Sequence, residues 1–177
     1  MKKFFCMSVL VLMAALTLTS CGSDDKKDEP DPTPSSKTAV YEFTAHFTQD
    51  MVDVCDITMV YKDGDGKTVR EAAKSTTFNK KVTVTKFPAV VGAKCEFKLK
   101  DGIQLTKDKY DVISTYDHKI AVTGRTPYGT DGNTFIQGQG VNKDKLAELL
   151  SRRSGQEMHG FTIDADGVTN TTHDIAF

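Results

Sequence analysis

Tryptophan is absent from this chain, and its 177 residues include only five prolines and four cysteines. The missing tryptophan limits what the surface can bind. Sugar platforms stack pyranose faces on Trp or Tyr, and of the five tyrosines Tyr41 and Tyr61 fall at buried-type positions of their segments. There is no excess of one charge sign, with 23 basic residues against 24 acidic ones. The lysines alternate with acids along strand-like segments instead of gathering on one face, which excludes nucleic acid as the partner. Catalytic signatures are missing too: there is no His-Glu-x-x-His, no Cys-x-x-Cys and no Gly-x-Ser-x-Gly. Neither a zinc hydrolase nor an α/β-hydrolase is supported, and no metal or other cofactor is expected. The one long apolar run, Phe4 to Leu18, falls short of the ~20 residues of a membrane span.

That run belongs to an address. Lys2 and Lys3 form a short positive region ahead of it, so residues 1–20 read as a secretory signal that is removed and does not fold. Its ending, Leu18-Thr19-Ser20-Cys21, resembles a bacterial lipobox. The resemblance implies cleavage before Cys21, a lipid on the Cys21 thiol and acylation of the new amino terminus. Ser23-Asp24-Asp25 resembles the export signal of Bacteroidetes-type surface lipoproteins, although Lys26 and Lys27 interrupt the acidic run before Asp28 and Glu29. These resemblances imply an outer-membrane lipoprotein held by its lipid anchor and facing the cell exterior. With ~0.8 kcal/mol per buried methylene, two or three acyl chains hold such a chain on a membrane without a spanning helix.

Residues 21–38 read as a tether. Gly22 to Thr38 places Pro30, Pro32 and Pro34 among Asp, Glu, Lys and Ser, with no aliphatic residue to bury. Such a segment spans ~50 Å if polyproline-like and roughly 20 to 25 Å as a coil, enough to hold a folded domain clear of lipid headgroups. Residues 39–177 form that domain, a single one large enough to bury its own core.

Of the four cysteines, Cys6 leaves with the signal and Cys21 carries lipid. Cys55 and Cys95 remain, both at inward positions of alternating segments in an exported chain, where paired thiols oxidise. A disulfide between them is expected. It would close a loop of ~40 residues and contribute about 4 kcal/mol in the chain-entropy view.

Period-two alternation dominates residues 39–177 and predicts a mainly β fold. Tyr41, Phe43, Ala45 and Phe47 share one face, with Glu42, Thr44, His46 and Thr48 on the other. Val54 to Lys62 is expected to pair with Lys67 to Ala72 through a primed turn at Asp63-Gly64-Asp65-Gly66. Further strands are expected at residues 76–87, 93–99, 110–116, 119–123, 134–137, 160–163 and 174–177, the last with Ile175 and Phe177 tucked into the core. One helix interrupts them, with Asn142 as cap, Val141 and Leu146 as a staple, Leu146, Leu149 and Leu150 as its stripe, Glu148 and Arg152 as an outer pair, and Gly155 as its end. An antiparallel β-sandwich with one helix before the last strands fits this best. A lipocalin-like up-and-down barrel is the alternative, lacking that family's tryptophan near the first strand.

Single candidates for chemistry are weak. His46, His118, His159 and His173 form no ligand motif, and His46 falls on a solvent face. In Tyr116-Asp117-His118 the aspartate lies on the opposite strand face from the histidine and cannot orient it. Asp63 to Gly66 and Asp164 to Gly167 lack the oxygen ligands of a calcium loop and read as hairpin turns. The longest loop expected, Gly124 to Asn133, carries Arg125 and Tyr128, the best-placed residues for a surface contact. The expectation is therefore a surface lipoprotein presenting a β-sandwich for interaction or adhesion, without catalysis. Glycan capture as an accessory of a polysaccharide uptake system is the alternative, and the partner is an unidentified protein or glycan.

Overall fold

A computed structural model of the chain describes residues 37–171 and 175–177, which all belong to one unit, Ser35–Phe177. The signal, Cys21, most of the tether, His173 and Asp174 lie outside the described residues. The chain folds as an antiparallel β-sandwich of two open sheets, with no closed barrel among the described residues. One sheet has the order β4-β1-β6-β7 and the other β3-β2-β5-β8-β9. The strands are β1 (Ala39–Phe47), β2 (Cys55–Lys62), β3 (Thr68–Ala73), β4 (Thr77–Val84), β5 (Ala89–Leu99), β6 (Lys109–Val122), β7 (Tyr128–Asn142), β8 (Glu157–Asp164) and β9 (Gly167–Thr171). Two helices, α1 (Gln49–Val54) and α2 (Leu146–Arg153), connect them.

The alternation in the sequence becomes the core. Tyr41, Phe43, Ala45 and Phe47 of β1 are buried, and they meet Ile57, Met59, Tyr61, Val91, Ala93, Phe97, Phe161 and Ile163 of the facing sheet. Rings interlock between the layers: Phe43 lies 5.6 Å from Tyr61, and Phe47 meets Phe97 edge-on at 6.3 Å.

Local chemistry sets the ends of the elements. At the β2–β3 hairpin, Gly66 N–H donates to Asp63 O and the Asp63 carboxylate accepts from Asp65 and Lys67 N–H at 3.0 and 2.8 Å. Of the two glycines only Gly66 has a positive φ, +79°, so the connection is a type I turn closed by a left-handed glycine, not the primed turn expected. The chain bend after β1 is the short helix α1, whose Val52 and Asp53 carbonyls accept from Lys100 Nζ at 2.8 and 2.9 Å. Before α2 stands a single 3-10 turn, Lys143–Lys145, and Asn142 makes no side-chain cap bond. Glu148 faces Lys145 Nζ at 3.6 Å, one turn back, instead of the Arg152 expected. Leu146 and Leu150 are buried as the stripe requires. Gly155, at φ +78°, donates its N–H to Cys95 O, and Ser154 Oγ accepts from Phe97 N–H. The corner after α2 thus takes up β5 backbone groups just where the β5–β8 register shifts, at Ala93/Lys94.

Three expectations about the strands are corrected. The two strands expected at residues 110–116 and 119–123 are one strand, β6, because Asp117 points outward, its carboxylate held there by Gly132 N–H and His46, and the ladder to β1 runs through it unbroken. The loop expected over Gly124 to Asn133 is mostly strand: β7 starts at Tyr128 and pairs along β6 with three register shifts. Its Gly, Asp and Asn residues hide the alternation, while Asp111 and Asp117 of β6 accept from Gly140 and Gly132 N–H at 2.8 and 2.5 Å and pin two of the bulges. The last strand among the described residues is β9, and residues 175–177 of the strand expected at 174–177 are not in a strand. Ile175 and Phe177 lie on the outer face of the five-stranded sheet, not in the core: Ile175 rests on Gly92, whose strand partner is Gly160, and Phe177 receives Lys94 and Lys62. Two facing glycines leave room on that outer face which a side chain would fill.

Cys55 and Cys95 are buried as expected, but they are free thiols. The β2–β5 register pairs Cys55 with Leu99 and Cys95 with Met59. Four residues of stagger along neighbouring strands is roughly 13 Å, well beyond the ~7 Å Cα separation a disulfide tolerates.

Candidate functional site

Alternation on two strands, one from each sheet, builds a cluster of rings. On β6, Tyr116 and His118 share the inward face with Ile120; on β8, His159 and Phe161 share it with Ile163. The sandwich brings these four side chains together beside β7, the edge strand. His118 and His159 stack at 5.1 Å between ring centres and 22° between planes, and Tyr116 stacks on His159 at 5.0 Å. Phe161 closes on His118 at 4.7 Å. Opposite Tyr116 and His118 the β7 register jumps from Asn133 to Thr130, so that Asp131 and Gly132 bulge outward. The edge opens there into a cleft of about 440 Å³ lined by Tyr116, His118, Tyr128, Asn133, Glu157 and His159, among others.

Burial fixes the electrostatics. His118 and His159 are each 7% exposed. Burial, reinforced by His118 alongside, pushes the His159 pKa from 6.5 to about 3, and burial also lowers that of His118, against the pull of Asp117 and Asp131. Both imidazoles are therefore neutral at pH 7. Tyr41, wholly buried, is held protonated by burial and by Glu157, and its hydroxyl meets His159 Nε2. A phenol in that setting donates, so Nε2 accepts and the His159 proton is assigned to Nδ1. Thr130 Oγ1 accepts from Asn133 Nδ2 at 2.5 Å and lies 3.5 Å from His118 Nδ1. Neither His159 Nδ1 nor His118 Nε2 has a hydrogen-bond partner among the described residues. Each buried polar group left so costs ~1–3 kcal/mol.

No family, no curated protein and no solved structure matches the chain. What the site can do rests on its own geometry.

The residues expected to make a surface contact are placed apart. Tyr128 is 43% exposed at the cleft mouth, with its ring 6.0 Å from His118 and edge-on to Phe161 at 5.5 Å. Arg125 turns the other way and pairs with Asp166 in the β8–β9 turn, where Lys37 joins at 3.2 Å. His46 lies on the outer face of the four-stranded sheet with Thr77 Oγ1 at 3.4 Å from Nδ1 and Asp117 Oδ2 at 3.2 Å from Nε2. A hydroxyl, an imidazole and a carboxylate in line resemble a hydrolytic triad in connectivity. They sit on an open strand face, however, and Asp117 Oδ1 is already occupied by Gly132 N–H. Among the described residues, no three of His, Cys, Asp and Glu are grouped to hold a metal ion, and no helix is long and apolar enough to cross a membrane. Burial pushes the Cys55 thiol up to about 12 and raises that of Cys95 well above its usual value, which makes both inert.

Sequence reasoning missed His159 and Phe161 and left His118 without a partner. The alternation of β6 does put Tyr116 and His118 on one face, and that of β8 does the same for His159 and Phe161. What no strand pattern carries is that β6 and β8 face each other across the sandwich.

Proposed function

We propose that the chain is a lipoprotein of the outer membrane, anchored through lipid on Cys21, facing the cell exterior and presenting its β-sandwich as a binding module without catalysis. The lipobox-like ending Leu18-Thr19-Ser20-Cys21 and the proline-rich, polar stretch behind it support the anchor and the tether. The observation that carries the binding role is Tyr128: a large aromatic side chain, 43% exposed, held by Phe161 and His118 at the mouth of a cleft. Such semi-rigid aromatic residues are the usual anchors of recognition. Glycan capture is favoured over a protein partner by one observation, that the cleft offers ring faces and hydrogen-bonding groups side by side on the scale of a small ligand.

The anchor is tested by metabolic labelling with a palmitate analogue and membrane fractionation of wild type and Cys21→Ser. Label on the wild type alone, with loss of mature lipidated chain in the variant, is the expected result. A wild-type chain that takes no label and stays soluble would overturn the reading.

A further inference from the structure

We infer that the outer face of the five-stranded sheet is a docking groove for an extended peptide segment of a partner protein, one with an aliphatic residue and an aromatic residue two positions on. Residues 175–177 of the chain itself occupy it as an internal ligand. The groove lies on a different surface from the cleft between β6, β7 and β8 and does not rest on the glycan reading.

The solvent face of an antiparallel sheet is ordinarily polar, and a strip across this one is not. Gly92 of β5 pairs with Gly160 of β8, so the face carries no side chain there. Val60 of β2 stands between the core residues Met59 and Tyr61 and therefore points outward, yet it is wholly buried and stands apart from the core cluster. Its strand partners are Arg70 and Lys94. Residues 175–177 lie on this strip. Ile175 and Phe177 are half-buried with Ala176 exposed between them, the pattern of an extended segment that sets down two side chains. Ile175 fills the space over Gly92, where an added Cβ would collide with its Cδ1. The Phe177 ring receives two ammonium groups, Lys94 Nζ at 5.2 Å and Lys62 Nζ at 5.9 Å from its centre. Ile175 N–H donates to Glu157 Oε2 at 2.9 Å.

Three features mark this contact as recognition. Residues 175–177 are not in a strand, so what holds them is a gap between side chains, a pair of cations and a carboxylate. Both anchoring side chains stay half exposed, unlike the rings of the core, and so can be exchanged at small cost. The strip also runs past its occupant: Val90, two residues before Gly92 on the same face, is 40% exposed. A longer partner segment gains the surface that three residues leave uncovered. The lysines over the ring favour an aromatic at that position and an acidic flank over a basic one.

The test uses the full chain purified in detergent, native and as the double variant Ile175→Ala, Phe177→Ala. Each is titrated with a fluorescent peptide of the sequence of residues 170–177, Asn-Thr-Thr-His-Asp-Ile-Ala-Phe, and with a control peptide in which its Ile and Phe are Ala. A segment tethered within its own chain acts at an effective concentration on the order of 1 mM, so a groove that binds the free peptide at about 100 µM should bind it about tenfold more weakly in the native chain than in the double variant. The control peptide should bind neither. In 15N spectra the peptide should move the amide signals of Val60 and Gly92 and leave that of Thr44, in the other sheet, in place. Phe177→Ala alone, which removes a half-buried ring outside the core, is read in the same way where the double variant does not fold. No binding to the variants, or binding that leaves Val60 and Gly92 unmoved, overturns the groove. Equal binding to native chain and variants removes the internal ligand, and equal binding of the control peptide denies the two anchors their role. A native chain that runs as a dimer and becomes a monomer in the variant makes the occupant a second copy and contradicts the internal seat.

Discussion

Tyr41 and His159 join the two sheets: the Tyr41 hydroxyl on β1 donates to His159 Nε2 on β8, at a point where Tyr41 is wholly buried and His159 only 7% exposed. The bond sets the tautomer of His159 and leaves its Nδ1–H buried without a partner among the described residues.

A neutral base in the core has a consequence in acid. Unfolded, His159 takes a proton below about pH 6.5; folded, it resists until about pH 3. Between those values the unfolded chain binds more protons, so stability must fall as the pH drops through that window. At ~1.4 kcal/mol per pKa unit the loss attributable to His159 amounts to several kcal/mol, and His118, shifted in the same direction, adds to it. Urea denaturation at pH 7, 5.5 and 4 is expected to show a declining midpoint, and His159→Gln is expected to flatten the decline. A midpoint constant from pH 7 to 4 contradicts the burial of both rings.

The free thiols give a covalent test. In the native state Cys55 and Cys95 are expected to resist alkylation at pH 8, since both are buried and their pKa values are raised. Unfolded without reductant, Cys55 and Cys95 should each take up one label by mass spectrometry. Uptake of none would restore the disulfide that the strand register rules out.

The bulges of β7 are held by aspartates, and Asp111 is the more informative. Its Oδ1 accepts from Gly140 N–H at 2.8 Å in a half-buried position. Asp111→Ala should cost about 1–2 kcal/mol and speed amide exchange at Gly140. An unchanged exchange rate at that amide would show that the bulge stands without its pin.

Two glycines of the same strand separate backbone from side-chain crowding. A Cβ on Gly129 would lie 2.3 Å from the His118 carbonyl oxygen, whereas one on Gly138 would meet Leu149 and Val141 methyl groups at 2.8 Å. Backbone cannot step aside as methyls can, so Gly129→Ala is expected to destabilise by about 1–3 kcal/mol and Gly138→Ala by less. Thermal melts of the two variants decide it, and a reversed order contradicts the pairing of β7 against His118.

Some of these relationships are legible in a single sequence and others are not. The alternation of Tyr41, Phe43, Ala45 and Phe47 is visible because one face is buried, and so is the Leu146, Leu149 and Leu150 stripe, since both periods repeat in apolar residues. The strand character of residues 128–133 is hidden, because Gly129, Asp131, Gly132 and Asn133 serve bulges and an edge, where turn-type residues are wanted. The pairing of Cys55 with Leu99 instead of Cys95 depends on register, which inward-pointing sulfurs do not reveal. The cleft is the least accessible feature: Tyr128 is readable as an exposed aromatic, but His118 meets His159 only because two non-adjacent strands from different sheets face each other.

The proposal puts the binding module at the cell exterior, and trypsin treatment of intact cells is the direct test of that presentation. In the sequence, Lys26, Lys27 and Lys37 all precede the first strand and are trypsin sites. Trypsin is expected to release a soluble fragment carrying residues 38–177 from unbroken cells. A chain that survives on intact cells and is cut only after the outer membrane is opened would contradict surface display.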